Sequence, residues 1–309
     1  MITLTRAKEN PILSPSDLPW ENKHVFNPGV FVHEGNICLL YRAQGAEDEV
    51  SRFGLAKSTD GINFIRAENP VYFTKNTQIY KFGVEDARVV KIEDTYFFAF
   101  TIVSENPGGV EEDQWREGLK RRKKPQVALT ATKDFKTFTE YGVLFPEMEG
   151  KDASLFPEKL DGRYWLLYRN DMTGITYFST SSDLRQWTER KAVFQKRLNY
   201  WDGFHLGIGA SPIKTEKGWL LFYHAADQQK IYRLGIIFLD INDPTKILYR
   251  SAEPIFEPET VYEKEGNVSN VVFTCGAIGK DDKYFIYYGA ADHVVGLATV
   301  EKKLVLDLL

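Results

Sequence analysis

Gly83-Val84-Glu85-Asp86-Ala87-Arg88 sets two carboxylates side by side and a guanidinium two positions on, just ahead of the apolar run Val89-Val90-Lys91-Ile92. An acid beside a guanidinium at the mouth of a strand can deliver a proton to a leaving group or anchor a substrate. A structural ion pair capping the strand is the competing reading, because such pairs also perturb carboxylates. On a regular strand neighbouring side chains point to opposite faces. That alternation predicts that Glu85 and Asp86 occupy different environments, with Arg88 on the Asp86 side.

The elements that must carry this hexapeptide form a repeat. Five stretches share one plan, an apolar strand, a tight polar turn and an aromatic-rich strand: residues 30–42, 88–100, 155–169, 211–224 and 275–288. Their turns fall roughly 55–70 residues apart, the period expected of four-stranded propeller blades. The second half of each unit repeats as well. Ser58-Thr59-Asp60-Gly61, Thr132-Lys133-Asp134-Phe135 and Ser181-Ser182-Asp183-Leu184 each put an aspartate where a side chain can accept from backbone N–H groups two residues on. The prediction is an all-β, five-bladed β-propeller, one domain over residues 1–309, without a strong helical period. A two-sheet sandwich would not need five matching units.

Totals narrow the function. With 309 residues and a 14 % aromatic share, the chain has ample material for a strand-rich core. A net charge of −4 offers no basic field for nucleic acid. No apolar run approaches the roughly 20 residues of a membrane helix. The start lacks the charged-then-apolar order of a signal peptide, so a cytoplasmic location is expected. Cys38 and Cys275 sit in apolar runs and read as buried thiols. The five histidines are scattered without metal-ligand spacing. His24 and His33 read as surface or turn residues. Residues 105–126 break the repeat with an acidic patch and Lys120-Arg121-Arg122-Lys123-Lys124. This stretch reads as a long loop, either solvated or serving as a lid or a subunit contact in a homo-oligomer.

In a propeller, polar residues just before or within each inner strand converge on an axial cavity. In register these are Asn27, Glu85-Asp86, Lys151-Asp152, Asp202 with His205, and Asn267 to Asn270. The ends of second strands add Arg42, Arg169, His224 and Asp292-His293. Acids, amides and cations around one axis suit a neutral polyol together with an anion.

Read together and in order, Asn27-Pro28-Gly29-Val30, the Glu85-Asp86 hexapeptide, Lys151-Asp152-Ala153-Ser154-Leu155-Phe156-Pro157-Glu158, Gly218-Trp219-Leu220-Leu221-Phe222-Tyr223-His224, Asp243-Pro244-Thr245-Lys246 and Tyr288-Gly289-Ala290-Ala291-Asp292 resemble glycoside hydrolase family 130 over nearly the whole chain. The resemblance implies a five-bladed propeller with Asp86 as general acid. It implies inverting phosphorolysis of a β-mannoside, the proton passing to the glycosidic oxygen through the mannose 3-hydroxyl. Inorganic phosphate would be co-substrate, with no cofactor and no metal, and α-mannose 1-phosphate the product. The resemblance places Asn27, Arg42, Arg52 and Asp292 on the sugar and Arg169 and His224 on the phosphate; Glu85, Arg88 and Asp152 join the sugar set, and His205 the phosphate set, as further site expectations. Two departures stand out: Ala87 replaces a proline, and His205 replaces a phosphate-gripping lysine. A histidine donor is only partly charged at neutral pH. An inverting exo-β-mannosidase, which needs a second carboxylate to activate water, is therefore the alternative. A non-catalytic sugar-binding propeller is the third reading.

Overall fold

The structure is a computed structural model, and it describes residues 2–48, 50–74, 76, 78–110, 122–188 and 190–309. It contains five antiparallel sheets that follow one another along the chain and form a five-bladed β-propeller. Blade 1 runs through His24–His33, Asn36–Gln44, Arg52–Ser58 and Ile65–Arg66. Blade 2 is Gly83–Ile92, Thr95–Glu105, Lys123–Thr132 and Thr139–Val143, and blade 3 is Gly150–Leu155, Tyr164–Asn170, Thr176–Ser181 and Lys191–Phe194. In blade 4 the first strand is split into His205–Ile208 and Ile213–Thr215, both paired with Gly218–Ala226, followed by Tyr232–Leu239 and Ile247–Arg250. Blade 5 is Val272–Lys280, Lys283–Ala290 and Val294–Glu301, completed by the N-terminal strand Thr5–Arg6. That last pairing, Thr5 opposite Thr299, closes the ring with an element from the other end of the chain. Arg6 reinforces it through a bidentate contact with buried Glu263.

Alternating side chains explain why the sheets stack. Along Gly218–Ala226, Trp219, Leu221 and Tyr223 pack with Phe156 and Leu167 of blade 3. The intervening Leu220 and Phe222 pack with Val272 and Ile286 of blade 5. Each strand of this kind is buried on both faces, so the core is five inter-blade layers rather than one centre. The turns predicted from Asp60, Asp134 and Asp183 form as expected: Asp60 accepts from the N–H groups of Ile62 and Asn63, each at 2.8 Å. Asp240 builds the same turn in blade 4.

One expectation needs correction. The interruption after blade 2 is shorter than residues 105–126, because Lys123 to Gln126 pair with Glu105 to Ile102 and extend the sheet. Residues 111–121, the rest of the predicted loop, lie outside the described residues. Two short helices, Val261–Lys264 and Lys302–Leu306, were not legible, since neither is long enough to show a period. Among the described residues no helix is long and apolar enough to cross a membrane.

Candidate active site

The first strands of blades 1, 2 and 3 carry the same irregularity. Pairing jumps between Phe26 and Gly29, between Glu85 and Arg88, and between Lys151 and Ser154. At each jump a short polar residue takes the left-handed conformation: Asn27 at φ 47°, Asp86 at φ 56° and Asp152 at φ 52°. Asn and Asp tolerate this region better than other side chains with a Cβ. A bulge re-aims a side chain out of the alternating pattern, and here it turns all three toward one cavity. Asp292 reaches the same cavity from a hairpin tip in blade 5, where Ala291 and Asp292 lie at φ 47° and 49°.

The bulge overturns the expectation from strict alternation. Glu85 and Asp86 meet the same guanidinium: Arg42 places Nη2 2.7 Å from Glu85 and Nη1 3.5 Å from Asp86. Arg88 lies elsewhere. It is fully buried beneath the cavity and donates to the Asp86, Ile208 and Gly209 carbonyls and to the Asp152 carboxylate.

The cavity has a volume of about 190 Å³, and its lining includes Asn27, Arg42, Asp86, Lys151, Asp152, Arg169, His205 and Asp292, with Tyr232 and Phe273 as aromatic wall. On one side Asp86 accepts from Asn27 Nδ2 at 3.0 Å. Burial raises the Glu85 carboxyl, but Arg42 and then Lys151 outweigh it and hold Glu85 below the usual range. For Asp292 burial is the leading cause; Arg42 opposes it, Asp86 and Glu85 add to it, and the carboxyl is pushed up to about 6.

On the other side the charges are closely matched. Arg169 pairs with Asp152 and Asp171, each at 2.9 Å, and contacts His205. Asp152 also receives Arg88 at 3.0 Å and His224 at 3.4 Å. Burial would raise its carboxyl, yet Arg169, His224 and Arg88 hold it well below the carboxylate range. His205 is lowered to about 3, first by burial and then by Arg169, so it is a neutral donor and acceptor in the free protein. Gly207 makes room for this packing, since a Cβ there would stand 2.1 Å from Asp152 Oδ2.

Of the residues singled out in the sequence, the structure brings Asn27, Arg42, Asp86, Asp152, Asp292, Arg169 and His205 to the cavity wall. Glu85 sits behind Arg42. His224 is wholly buried, stacked on Phe273 at 3.8 Å between ring centroids, and faces Asp152 rather than the cavity. Arg52 pairs with Asp48 at 2.7 Å and does not line the cavity. His24, expected at the surface, is buried and places Nδ1 3.0 Å from Nδ1 of His293. Sequence reasoning placed Lys151 in register with the cavity but gave it no role, and it missed Tyr232. Lys151 had a signal, its place one residue before the bulge aspartate in register with Glu85.

A polar cavity lined by an acid, an amide and cations suits a sugar with an anion, and the family match makes the propeller a carbohydrate-active enzyme. The family model described as β-1,4-mannooligosaccharide phosphorylase matches residues 5–309. The chain belongs to glycoside hydrolase family 130 and is an enzyme of the glycoside phosphorylase class. It is 39 % identical to a 1,2-β-oligomannan phosphorylase of Thermoanaerobacter sp. (strain X514), covering 98 % of this chain and 99 % of that one. A β-1,2-mannobiose phosphorylase of the same strain is 38 % identical with the same coverage. The solved structure of the Listeria innocua β-1,2-mannobiose phosphorylase in complex with β-1,2-mannobiose superposes with a TM-score of 0.86 at 30 % identity, covering 100 % of this chain and 99 % of that one.

Proposed function

We propose that this enzyme is an inverting phosphorylase of short β-1,2-linked mannosides, releasing the terminal mannosyl unit as α-mannose 1-phosphate. One observation carries the reading: Asp86 and the cations Lys151 and Arg169 line a single cavity. A phosphate oxygen forms the new bond to the anomeric carbon as the bond to the leaving sugar breaks. The leaving oxygen takes its proton from Asp86. Lys151 and Arg169 offset the charge of the nucleophile, and His205 adds a neutral donor. Asn27, Arg42 and Asp292 are placed to hold hydroxyls of the mannosyl unit. The linkage follows the two Thermoanaerobacter relatives and the Listeria structure.

An inverting hydrolase requires a carboxylate free to activate water away from the acid. Asp152 is engaged by Arg88, Arg169 and His224. Asp292 feels the charges of Asp86 and Glu85 and so sits on the acid's side. Neither is placed as such a base. Incubation with β-1,2-mannobiose and phosphate is expected to yield α-mannose 1-phosphate, with turnover lost when phosphate is omitted. Free mannose as the sole sugar product, formed without phosphate, overturns the proposal.

A further inference from the structure

Arg88 meets the irregularities of three blades at once. In blade 2 the ladder passes from Glu85 opposite Thr101 to Arg88 opposite Ala99, so Asp86 and Ala87 share one opposing residue, and Asp86 is left-handed. A buried carbonyl turned out of a ladder needs another donor. Arg88 supplies it, with Nη1 2.9 Å from the Asp86 carbonyl oxygen. In blade 4 the first strand breaks after Ile208, and the Ile208 and Gly209 carbonyls accept from Arg88 Nη2 and Nε, each at 2.9 Å. The fourth contact, from Nη2 to the Asp152 carboxylate at 3.0 Å, falls on the left-handed residue of blade 3. The guanidinium is wholly buried and does not line the cavity. From blade 1, Gly29 closes on the same segment, where a Cβ would stand 2.4 Å from the Ala87 carbonyl oxygen.

One planar group therefore ties the backbone of Asp86 to two other blades. The Asp86 carboxylate itself accepts from Asn27 at 3.0 Å and from Arg42 at 3.5 Å, and both of these line the cavity, where sugar hydroxyls compete for them. Its direction is thus set from below, through the main chain. Catalysis is sensitive to misplacement on the scale of an ångström. We propose that Arg88 is a positioning residue: by holding the Asp86 carbonyl it aims the Asp86 carboxyl at the leaving oxygen, and it touches neither sugar nor phosphate. The inference rests on the reading of Asp86 as the acid. Lysine cannot take this place, because an ammonium is a point donor without the rigid fork that spans Asp86 on one side and Ile208 and Gly209 on the other. Lysine does keep a positive charge beside Asp152, so Arg88→Lys separates the loss of the fork from the loss of the charge.

The test compares kcat and KM for β-1,2-mannobiose and phosphate in the wild type, Arg88→Lys, Asp86→Asn and the double variant, each checked for a cooperative melt. Arg88→Lys is expected to lower kcat roughly tenfold or more and to leave both KM values within about twofold. In the Asp86→Asn background the same change is expected to cost less than about twofold, because its effect runs through Asp86. A raised KM for mannobiose with kcat intact makes Arg88 a sugar ligand, and a raised KM for phosphate makes it part of the nucleophile's half; either overturns the proposal. An unchanged kcat, or an equal loss with and without Asp86, makes Arg88 a strut of the fold and overturns it as well. Where Arg88→Lys does not fold, the wild type decides. In a structure with β-1,2-mannobiose bound, Arg88 should keep the Asp86 carbonyl and stand beyond hydrogen-bond reach of the sugar; a guanidinium turned onto the sugar overturns the proposal. Full kcat in Asp86→Asn alone removes the acid and the proposal with it, whereas a loss there with none in Arg88→Lys removes the proposal only.

Discussion

The two halves of the cavity solve the burial of charge in opposite ways. On the side of blades 3 and 4, Arg169 and, reaching across from blade 2, Arg88 are matched against Asp152 and Asp171 at 2.9–3.0 Å, and burial is nearly complete. On the side of blades 1, 2 and 5, Arg42 meets both Glu85 and Asp86, Lys151 reaches Glu85, and among the described residues no hydrogen bond or ion pair engages the Asp292 carboxylate. A matched network is rigid, and its dipoles are in place before an oxyanion arrives. On the other side burial pushes the Asp292 carboxyl up to about 6. On the proposed reading, the matched half faces the phosphate nucleophile and the half carrying Asp86 faces the leaving group.

The strongest way to break this contrast is to remove the proton donor while keeping its shape. Asp86→Asn retains an oxygen for the Asn27 amide and should lower kcat by about 10²–10⁴-fold. Phosphate binding, measured by calorimetry, should change little, because the matched half is untouched. If kcat survives, the acid lies elsewhere. The next largest effect attacks the joint between the halves. Arg88 holds the Asp86 carbonyl with one nitrogen and Asp152 with another. Arg88→Ala leaves Asp152 short of a buried partner and should cost about 3–5 kcal/mol in urea unfolding. A loss below about 1 kcal/mol would mean that the halves are independent.

Much of this was legible in the sequence, for identifiable reasons. Hairpin period and Asp-led turns are local, so five blades followed from residues a few positions apart. The phase of Asn27, Asp86 and Asp152 was visible because the repeat put them in register. Their true orientation was not, because the left-handed bulge that turns them has no residue signal beyond Asn or Asp itself. Strict alternation consequently misplaced Glu85 and Arg88. His224 was read as a phosphate ligand from the family resemblance, its strand-end position only putting it in phase with the site. Its burial comes from Phe273 and Asp152, which belong to other blades and are distant in sequence. The same distance hid the His24–His293 pair.

That pair gives a smaller effect. His24 is lowered to about 4, first by burial and then by His293, and His205 to about 3. Both take up protons more readily when unfolded. Their stabilising contribution is therefore whole above about pH 6.5 and lost as pH falls through the folded values. For His24 the loss is at most about 3 kcal/mol. His24→Gln should flatten the fall in melting temperature between pH 6.5 and pH 4; an unchanged slope would place the acid sensitivity elsewhere.

The smallest effect has the opposite sign and sharpens the contrast most. Asp292 is raised to about 6 from an ordinary 3.8, so the folded protein binds this proton more tightly than the unfolded chain. Its contribution to stability is complete below about pH 4 and declines as pH rises through 6. At pH 8 the ionised carboxylate is a net cost of about 1–2 kcal/mol, a fraction of the full shift because the group is partly open to the cavity. Asp292→Asn should therefore melt at a higher temperature than the wild type at pH 8 and at nearly the same temperature at pH 4. An unmatched acid that costs stability yet persists at the catalytic cavity is what a trade between stability and activity looks like. Should the variant be less stable at pH 8, Asp292 is paired in solution and the two halves of the cavity are alike.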